Sequence, residues 1–516
     1  MLSPFVSPSP LDFSPSLRSF LDRALPRTPE ELLLLEQDVR KAAAQEADLF
    51  VAGRLKAVHE DKAFVKQAIE AAKANAPYPM VSKGPKETSI LLEGGTRIVI
   101  KTPYLRQDHK GKRGPKRKKR GKKGTGLYPV LEALGIRDGV SPATRSEIAL
   151  LTVQTGSYQE AADMLERRGF SCDVSVLKRI ATTTAQTHIN LRDAAFEGAA
   201  RIPILEDAPL AGKRVRVSVD GGRVRTRKNR KGRKTRKGRH KFTTPWREPR
   251  VLVIDILDEK GKPDPLTFPL YDAFIKNADV TFSILIGYLR LLGAAHAEVV
   301  EFISDGADWI WDRVDRLITD AEIPANKLVQ VLDFYHASEH LHDAVELCKS
   351  LSTKERKKLY HKLLHALRHD PEGVSQVIEQ LKQLATTRRG KKMKKALAYF
   401  ENHATHMRYH FFEQMKLPIG SGQVESAVRR VINLRFKAPG SFWEEHTVDG
   451  LMHLRAYFKA GRWDQLINQV LIGRFEVPSF QPHSSSKNPS PSLLRDLFMA
   501  ACLSADDYQE PIEEAI

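Results

Sequence analysis

Cysteine is nearly absent. The 516 residues contain three, Cys172, Cys348 and Cys502, far apart and without a C-x-x-C pair. Neither a disulfide framework nor a Cys-ligated zinc site is therefore expected. Long apolar runs are also missing: none approaches the ~18 residues a membrane-spanning helix needs. The opening MLSPFVSPSPLDFSPS lacks both the basic and the apolar part of a secretory signal, so the expectation is a cytoplasmic protein. Acid is scarce relative to base, with 63 Asp plus Glu against 83 Lys plus Arg and a net charge of +20. At roughly 100–200 residues per domain, a chain of this length makes about three or four domains and has ample core without staples.

The excess charge is concentrated in two places. Residues 110–123 (KGKRGPKRKKRGKK) hold ten Lys or Arg and no acid, and residues 223–241 (RVRTRKNRKGRKTRKGRHK) hold twelve and no acid. The rest of the chain is close to neutral. Such blocks release counterions from a polyphosphate, which points to a nucleic-acid partner, although a solvated flexible tail has the same composition. With almost no aromatics inside the runs, contact with a duplex backbone is simpler than stacking on single-stranded bases. The candidate contacts are Lys116, Arg117, Lys118, Lys119 and Arg120 in the first run, and Arg225, Arg227, Arg230, Arg233 and Arg236 in the second.

The texture along the chain sets the expected organisation: multidomain α with an α/β core. Residues 1–27 are Ser/Pro-rich and expected to be disordered, 28–80 read as helices, and 81–105 read as a β-hairpin around Gly94-Gly95. A basic linker follows at 106–127. Within 128–195, helical spacing recurs over 143–153, 158–167 and 174–184, with a Gly-containing turn between the last two. That is the spacing of a helix-turn-helix whose second helix, carrying Ser175 and Lys178, would enter a major groove. A small helical bundle has the same spacing. From 211 to 335 strands enter: KRVRVSVD alternates to end at Asp220, RVLVIDIL is a continuous apolar run, and VVEFISD and LVQVLD end at Asp305 and Asp333. Residues 336–415 are helical throughout, and 416–476 restart a helix on the stripe Val424, Ala427, Val428, Val431, Ile432. The remainder, 477–516, is Ser/Pro-rich and expected to be mobile.

Carboxylates at strand ends, with Glu425 on the returning helix, can converge at one end of a sheet. Hard cations such as Mg²⁺ or Mn²⁺ take such oxygen ligands, and two ions can clamp an in-line phosphodiester displacement. Blander explanations exist for each residue. Asp-Gly is a common turn dipeptide, and Glu425 with Arg429 is also the spacing of an exposed i,i+4 pair. The Gly420-Ser421-Gly422 turn before Glu425 could offer backbone N–H groups to a phosphate.

SVDGGRVR, FISDGADWIW, DFYHASEH and GSGQVESAVRRVINLRFKAPGSFW, in that order, resemble the DDE transposases of prokaryotic insertion sequences, specifically the ISKra-type within the Mutator-like group. The resemblance covers roughly residues 140–465. It implies an RNase H-like catalytic core interrupted by an all-helical insertion, with Asp220, Asp305 and Glu425 as the catalytic and metal-binding triad holding two Mg²⁺ or Mn²⁺ ions. It implies that Asp333 and His336 support the site rather than ligate the ions. Arg429 and Arg430 join the DNA contacts. The implied partners are double-stranded DNA, as transposon ends and target, and further copies of the chain on that DNA, in the cytoplasm at the nucleoid. ISKra-type members often carry paired cysteines before the helix-turn-helix; this chain has none, so an N-terminal zinc module is not implied.

Two rivals remain open on the sequence. His336-Ala-Ser-Glu339-His340 fits the H-x-x-E-H zinc-protease pattern, and a DNA-binding protein without catalysis would share the charge and the helix-turn-helix spacing.

Overall fold

The computed structural model describes residues 14–108, 126–236, 238, 240–384, 390–438 and 442–480. The expectations placed on Lys116, Arg117, Lys118, Lys119 and Arg120, on residues 1–13 and on the tail beyond 480 lie outside the described residues. The chain divides into two compact units, taken separately below.

The first unit opens with α1 (Pro15–Arg18), begun by Ser14, whose hydroxyl accepts from Leu17 N. This part of the Ser/Pro-rich start is therefore ordered, because Ser at the cap and Pro at the first position are a helix-start pair. Then come α2 (Pro29–Glu60), closed at its start by a Thr28/Glu31 capping box, and α3 (Lys62–Ala74), capped by Asp61. Strands β1 (Met80–Leu91) and β2 (Arg97–Gln107) form the expected hairpin. Buried Asp48 of α2 accepts from Gly94 N and Thr96 N at 3.0 and 2.9 Å, which pins the turn. Short β3 (Gly126–Leu127) adds to β2. Next are α4 (Pro129–Ala133), α5 (Pro142–Gln154), α6 (Tyr158–Arg167) and α7 (Val174–Ala195). Leu91, Val140, Ile148, Leu165, Phe170, Leu177 and Ile180 bury together between them. Helix α7 runs past the expected end at Thr184, and its residues from Ala181 group with the second unit.

The second unit is built on a five-stranded mixed sheet. Strand β4 (Arg214–Gly221) is followed by an arm of four short strands: β5 (Val224–Arg225), β6 (Lys228–Asn229), β7 (Phe242–Thr243) and β8 (Trp246–Arg247). The chain returns along β9 (Arg250–Leu257), antiparallel to β4, and β10 (Leu270–Phe274), antiparallel to β9. Helix α8 (Ala278–Leu291) carries it across to β11 (Val299–Ser304). Two single turns, α9 (Asp308–Trp311) and α10 (Arg316–Thr319), lead to β12 (Leu328–Leu332). The strand order is β10-β9-β4-β11-β12, and β4, β11 and β12 are parallel.

The two faces of this sheet differ. Val215, Val217 and Val219 with Val300 and Phe302 pack under α8 in a largely apolar layer. The opposite face carries buried polar groups, including Arg216 paired with Asp255 at 2.5 Å and Glu301. Asp255 had been hidden within the apolar run RVLVIDIL. Over this side lie α11 (Phe334–Glu346), α12 (Thr353–His369), α13 (Gly373–Leu384), α14 (Lys391–Asn402) and α15 (Tyr409–Gln414), which share a core of Leu341, Leu363, Leu367, Leu381, Phe400 and Phe412 with Ile303 and Val331 of the sheet. The chain ends, as described, in α16 (Gly422–Val428), a π-helical turn (Arg429–Asn433), α17 (Leu434–Phe436), α18 (Glu445–Lys459) and α19 (Trp463–Ile472). The expected stripe Val424, Ala427, Val428, Val431, Ile432 is buried. Residues 477–480, expected to be mobile, are held: Arg462 donates to Ser479 O and stacks on Phe480.

One charged network is sealed inside this unit. Asp272 of β10 accepts from Arg192 at 2.7 Å, Tyr288 at 2.9 Å and His453 at 2.8 Å, and His453 meets His188 at 2.7 Å. Among the described residues no helix is long and apolar enough to cross a membrane.

Candidate functional site

The parallel registers align the three strand-end aspartates. Ser218 of β4 pairs with Ile303 of β11, and Ser304 of β11 pairs with Leu332 of β12. Continued by the residues that follow, these registers set Asp220, Asp305 and Asp333 abreast at the carboxyl end of the sheet, all on its polar face because strand side chains alternate. Asp333 N donates to Ser304 O at 2.9 Å, so the β11–β12 ladder does run on to that level. The carboxyl ends of parallel strands are also where open α/β sheets bind ligands.

Glu425 reaches the same place from α16. Ser421, just before that helix, ties it down: its N–H donates to Asp333 Oδ2 at 2.8 Å, and its hydroxyl lies against Asp333 and 3.0 Å from Glu425 Oε1. Phe334 N donates to Ile419 O in the same strap. A Cβ at Gly420 would stand 2.7 Å from the Tyr335 ring, so the ring packs directly over the strap. The expected phosphate-binding role of the 420–422 turn is therefore corrected for Ser421, whose amide already serves a carboxylate of the chain.

Asp333 is buried and caps α11, its Oδ1 accepting from Tyr335 N at 2.6 Å and His336 N at 3.3 Å. His336 is half-buried, with Nδ1 3.6 Å from Asp333 Oδ2. Candidate ligand atoms of Asp333, His336 and Glu425 lie within 4.8 Å of one another, and these three residues could hold a metal ion. Among the described residues no other group of three His, Cys, Asp or Glu meets that distance, the expected Asp220–Asp305–Glu425 set included. Asp333 and His336, expected beside the ions, thus stand as close to Glu425 as ligands would.

The electrostatics explain how the groups coexist. Burial, and then the neighbouring Asp305 charge, push the Asp220 carboxyl up to about 6, against a bond from Gly221 N. Burial acts on Asp333 in the same direction, but its contacts with His336 and Ser421 and the Tyr335 amide outweigh it and hold the carboxyl below its usual range. Asp333 in turn raises His336 to about 9. At neutral pH His336 is therefore an imidazolium, which balances charge and must lose a proton before it can ligate. Arg250, at the start of β9, also feels Asp220 and Asp305 and lies 3.9 Å over the Trp309 ring. The donor set is rich in oxygen and in uncompensated negative charge, which fits a hard divalent cation.

His336, Glu339 and His340 are not assembled as the protease pattern requires. His340 stacks on Tyr399 at 3.8 Å, while His336 turns to Asp333. Of the candidate DNA contacts, Arg225, Arg230, Arg233, Arg236, Ser175 and Arg429 are exposed, and Arg227 and Lys178 are half-buried. Ser175 N donates to Asp173 at the start of α7. Arg430 is engaged within the protein, donating to Tyr271 at 2.7 Å. The sequence shows Ser421 only as part of the G-S-G turn, without its bond to Asp333, and carries no signal for Arg250. No protein-family model, curated protein or solved structure matches the chain.

Proposed function

We propose that the chain is a DDE transposase of the insertion-sequence kind, ISKra-type within the Mutator-like group, which binds element ends and catalyses DNA strand cleavage and strand transfer. In this reading the mixed sheet is an RNase H-like core, α11–α15 are its helical insertion, and α6–α7 are a helix-turn-helix with Ser175 and Lys178 at the groove. The observation that carries the reading is the register-aligned trio Asp220, Asp305 and Asp333 with Glu425 strapped against it.

Asp220, Asp305 and Glu425 would hold divalent cations, two Mg²⁺ or Mn²⁺ ions, with Asp333 and His336 at their flank. Bound there, such ions supply Lewis-acid stabilisation of the scissile phosphate and an activated attacking oxygen. The chain's own residues prepare that place. Asp305 opposes ionisation of Asp220 in the absence of a counter-charge, Ser421 fixes the angle of Glu425, and protonated His336 keeps Asp333 ionised. Duplex DNA is the partner, further copies of the chain assemble on it, and the cytoplasm is its place.

The test is incubation of the purified full chain with end-containing duplex and Mg²⁺, with nicks mapped at nucleotide resolution. Nicks at the element boundary support the reading. Intact DNA with Mg²⁺ and with Mn²⁺, despite tight binding, defeats it.

A further inference from the structure

The second basic run is not free chain. Val224 pairs with Arg247 and Arg225 with Trp246; further out, Lys228 pairs with Thr243 and Asn229 with Phe242. Thr226 N and Arg230 N bond back to Pro245 O and Lys241 O across the same ribbon. Residues 223–230 and 241–247 thus form a two-stranded antiparallel arm continuing the β4–β9 hairpin.

Its two faces are unlike. Val224 and Thr226 are buried, and the strand beside them is anchored by Arg227 N donating to Trp443 O at 2.6 Å. The alternate positions, Arg225, Arg227 and Asn229 with Phe242 and Trp246 across the ribbon, form the outward face. There Arg225 stacks on Trp246 at 5.0 Å and Arg227 on Phe242 at 4.6 Å. The rings are 54% and 41% exposed, so this ladder lies at the surface. Arg227 gives its Nε to Asn229 Oδ1 at 3.1 Å, which fixes its guanidinium further; a stacked guanidinium loses little freedom on binding, and its terminal N–H groups suit phosphate oxygens and the O6/N7 edge of guanine. The ring faces are already taken by arginine, which leaves them poorly placed to stack on unpaired bases.

We propose that this arm is a β-ribbon that enters the major groove of duplex DNA. The major groove, about 12 Å wide, admits a two-stranded ribbon. The twelve basic residues and no acid in 223–241 give the matching charge. The arm also starts at the candidate site: Asp220 and Gly221 end β4, and Arg225 is at most about 17 Å further along an extended chain. This deepens the transposase reading and rests on it for which DNA is held.

The experiment measures binding of the full-length protein, in EDTA, to a short mixed-sequence DNA duplex over a range of salt. The same sequence as single strand and as RNA duplex is run alongside. Wild type favours the DNA duplex and is displaced by the major-groove ligand methyl green but not by the minor-groove ligand netropsin. Arg225→Ala with Arg227→Ala lowers the salt slope by about 1.8. Trp246→Leu with Phe242→Leu keeps the slope but loses several-fold in affinity, because the charges remain and their support goes. Arg225→Lys with Arg227→Lys behaves like the aromatic variant, and carries the test if the alanine pair melts early. An unchanged slope in a folded alanine variant, displacement by netropsin alone, or equal binding of the single strand or RNA duplex overturns the proposal. Strand cleavage is read separately with Mg²⁺. If the transposase reading fails, wild type does not nick yet the binding differences persist; if the ribbon fails, wild type nicks and the ribbon variants bind as it does.

Discussion

Asp272 and Asp220 occupy strands of one sheet, and their surroundings treat the same carboxyl in opposite ways. Around Asp272, burial would favour the neutral acid, but Arg192 and then His453 outweigh it and hold the carboxyl far below its usual range. Both oxygens are bonded and the side chain is sealed from solvent. Around Asp220 the strongest charge effect is that of another carboxylate, Asp305, and its hydrogen bond comes from the next residue, Gly221, at 2.6 Å. A matched, closed group fixes elements together; an unmatched, half-open group is poised for a cation from outside. Perturbed carboxylates of the second kind mark functional sites.

Four outcomes would break or sharpen this contrast. The largest concerns the open group: Asp220→Asn, Asp305→Asn and Glu425→Gln should each lower strand cleavage at least on the order of a thousandfold, with double variants little worse than single ones. Duplex binding in EDTA should be kept, as read by titration. Next, Asp272→Asn should leave Arg192 and His453 without their counter-charge and cost about 3–5 kcal/mol in urea unfolding, whatever cation is present. Equal losses from Asp220→Asn and Asp272→Asn would erase the distinction.

Smaller effects appear in the metal-free protein. Because the folded carboxyl of Asp220 titrates near 6 rather than at its ordinary 3.8, the folded state binds more protons between those values. Stability from this group therefore falls as pH rises through that window. Above it, Asp220→Asn should gain roughly 1 kcal/mol after allowance for solvent screening, and added Mg²⁺ should close the gap. The smallest effect is at His336. Its raised value near 9 means the pairing with Asp333 stabilises fully below the ordinary 6.5 and is lost as pH climbs through 9. His336→Ala should flatten that alkaline fall, measured by chemical denaturation from neutral pH upward.

Legibility in the sequence followed the range of the interactions. Strands β4, β11 and β12 and helix α6 announce themselves through local periodicity, and their terminal aspartates come with them. Strand β10 does not, because Pro269 precedes it and Asp272 sits mid-strand, a charge that only Arg192 and His453, distant in sequence, make tolerable. The arm escaped notice because Lys and Arg favour strands weakly and its two rings are carried by the return strand. Ser421 was visible as part of a turn, but its bond to Asp333 spans 88 positions and leaves no local pattern.

The order of the site along the chain has a consequence for synthesis. Strand β4 and the arm leave the ribosome first, β11 and β12 next, and α16 only after the whole helical stretch α11–α15. Folding during translation proceeds from the N-terminal side. A nascent chain thus displays its cationic arm and its aspartates before Glu425 exists, so on the proposed reading a grip on DNA would precede the capacity to cut it.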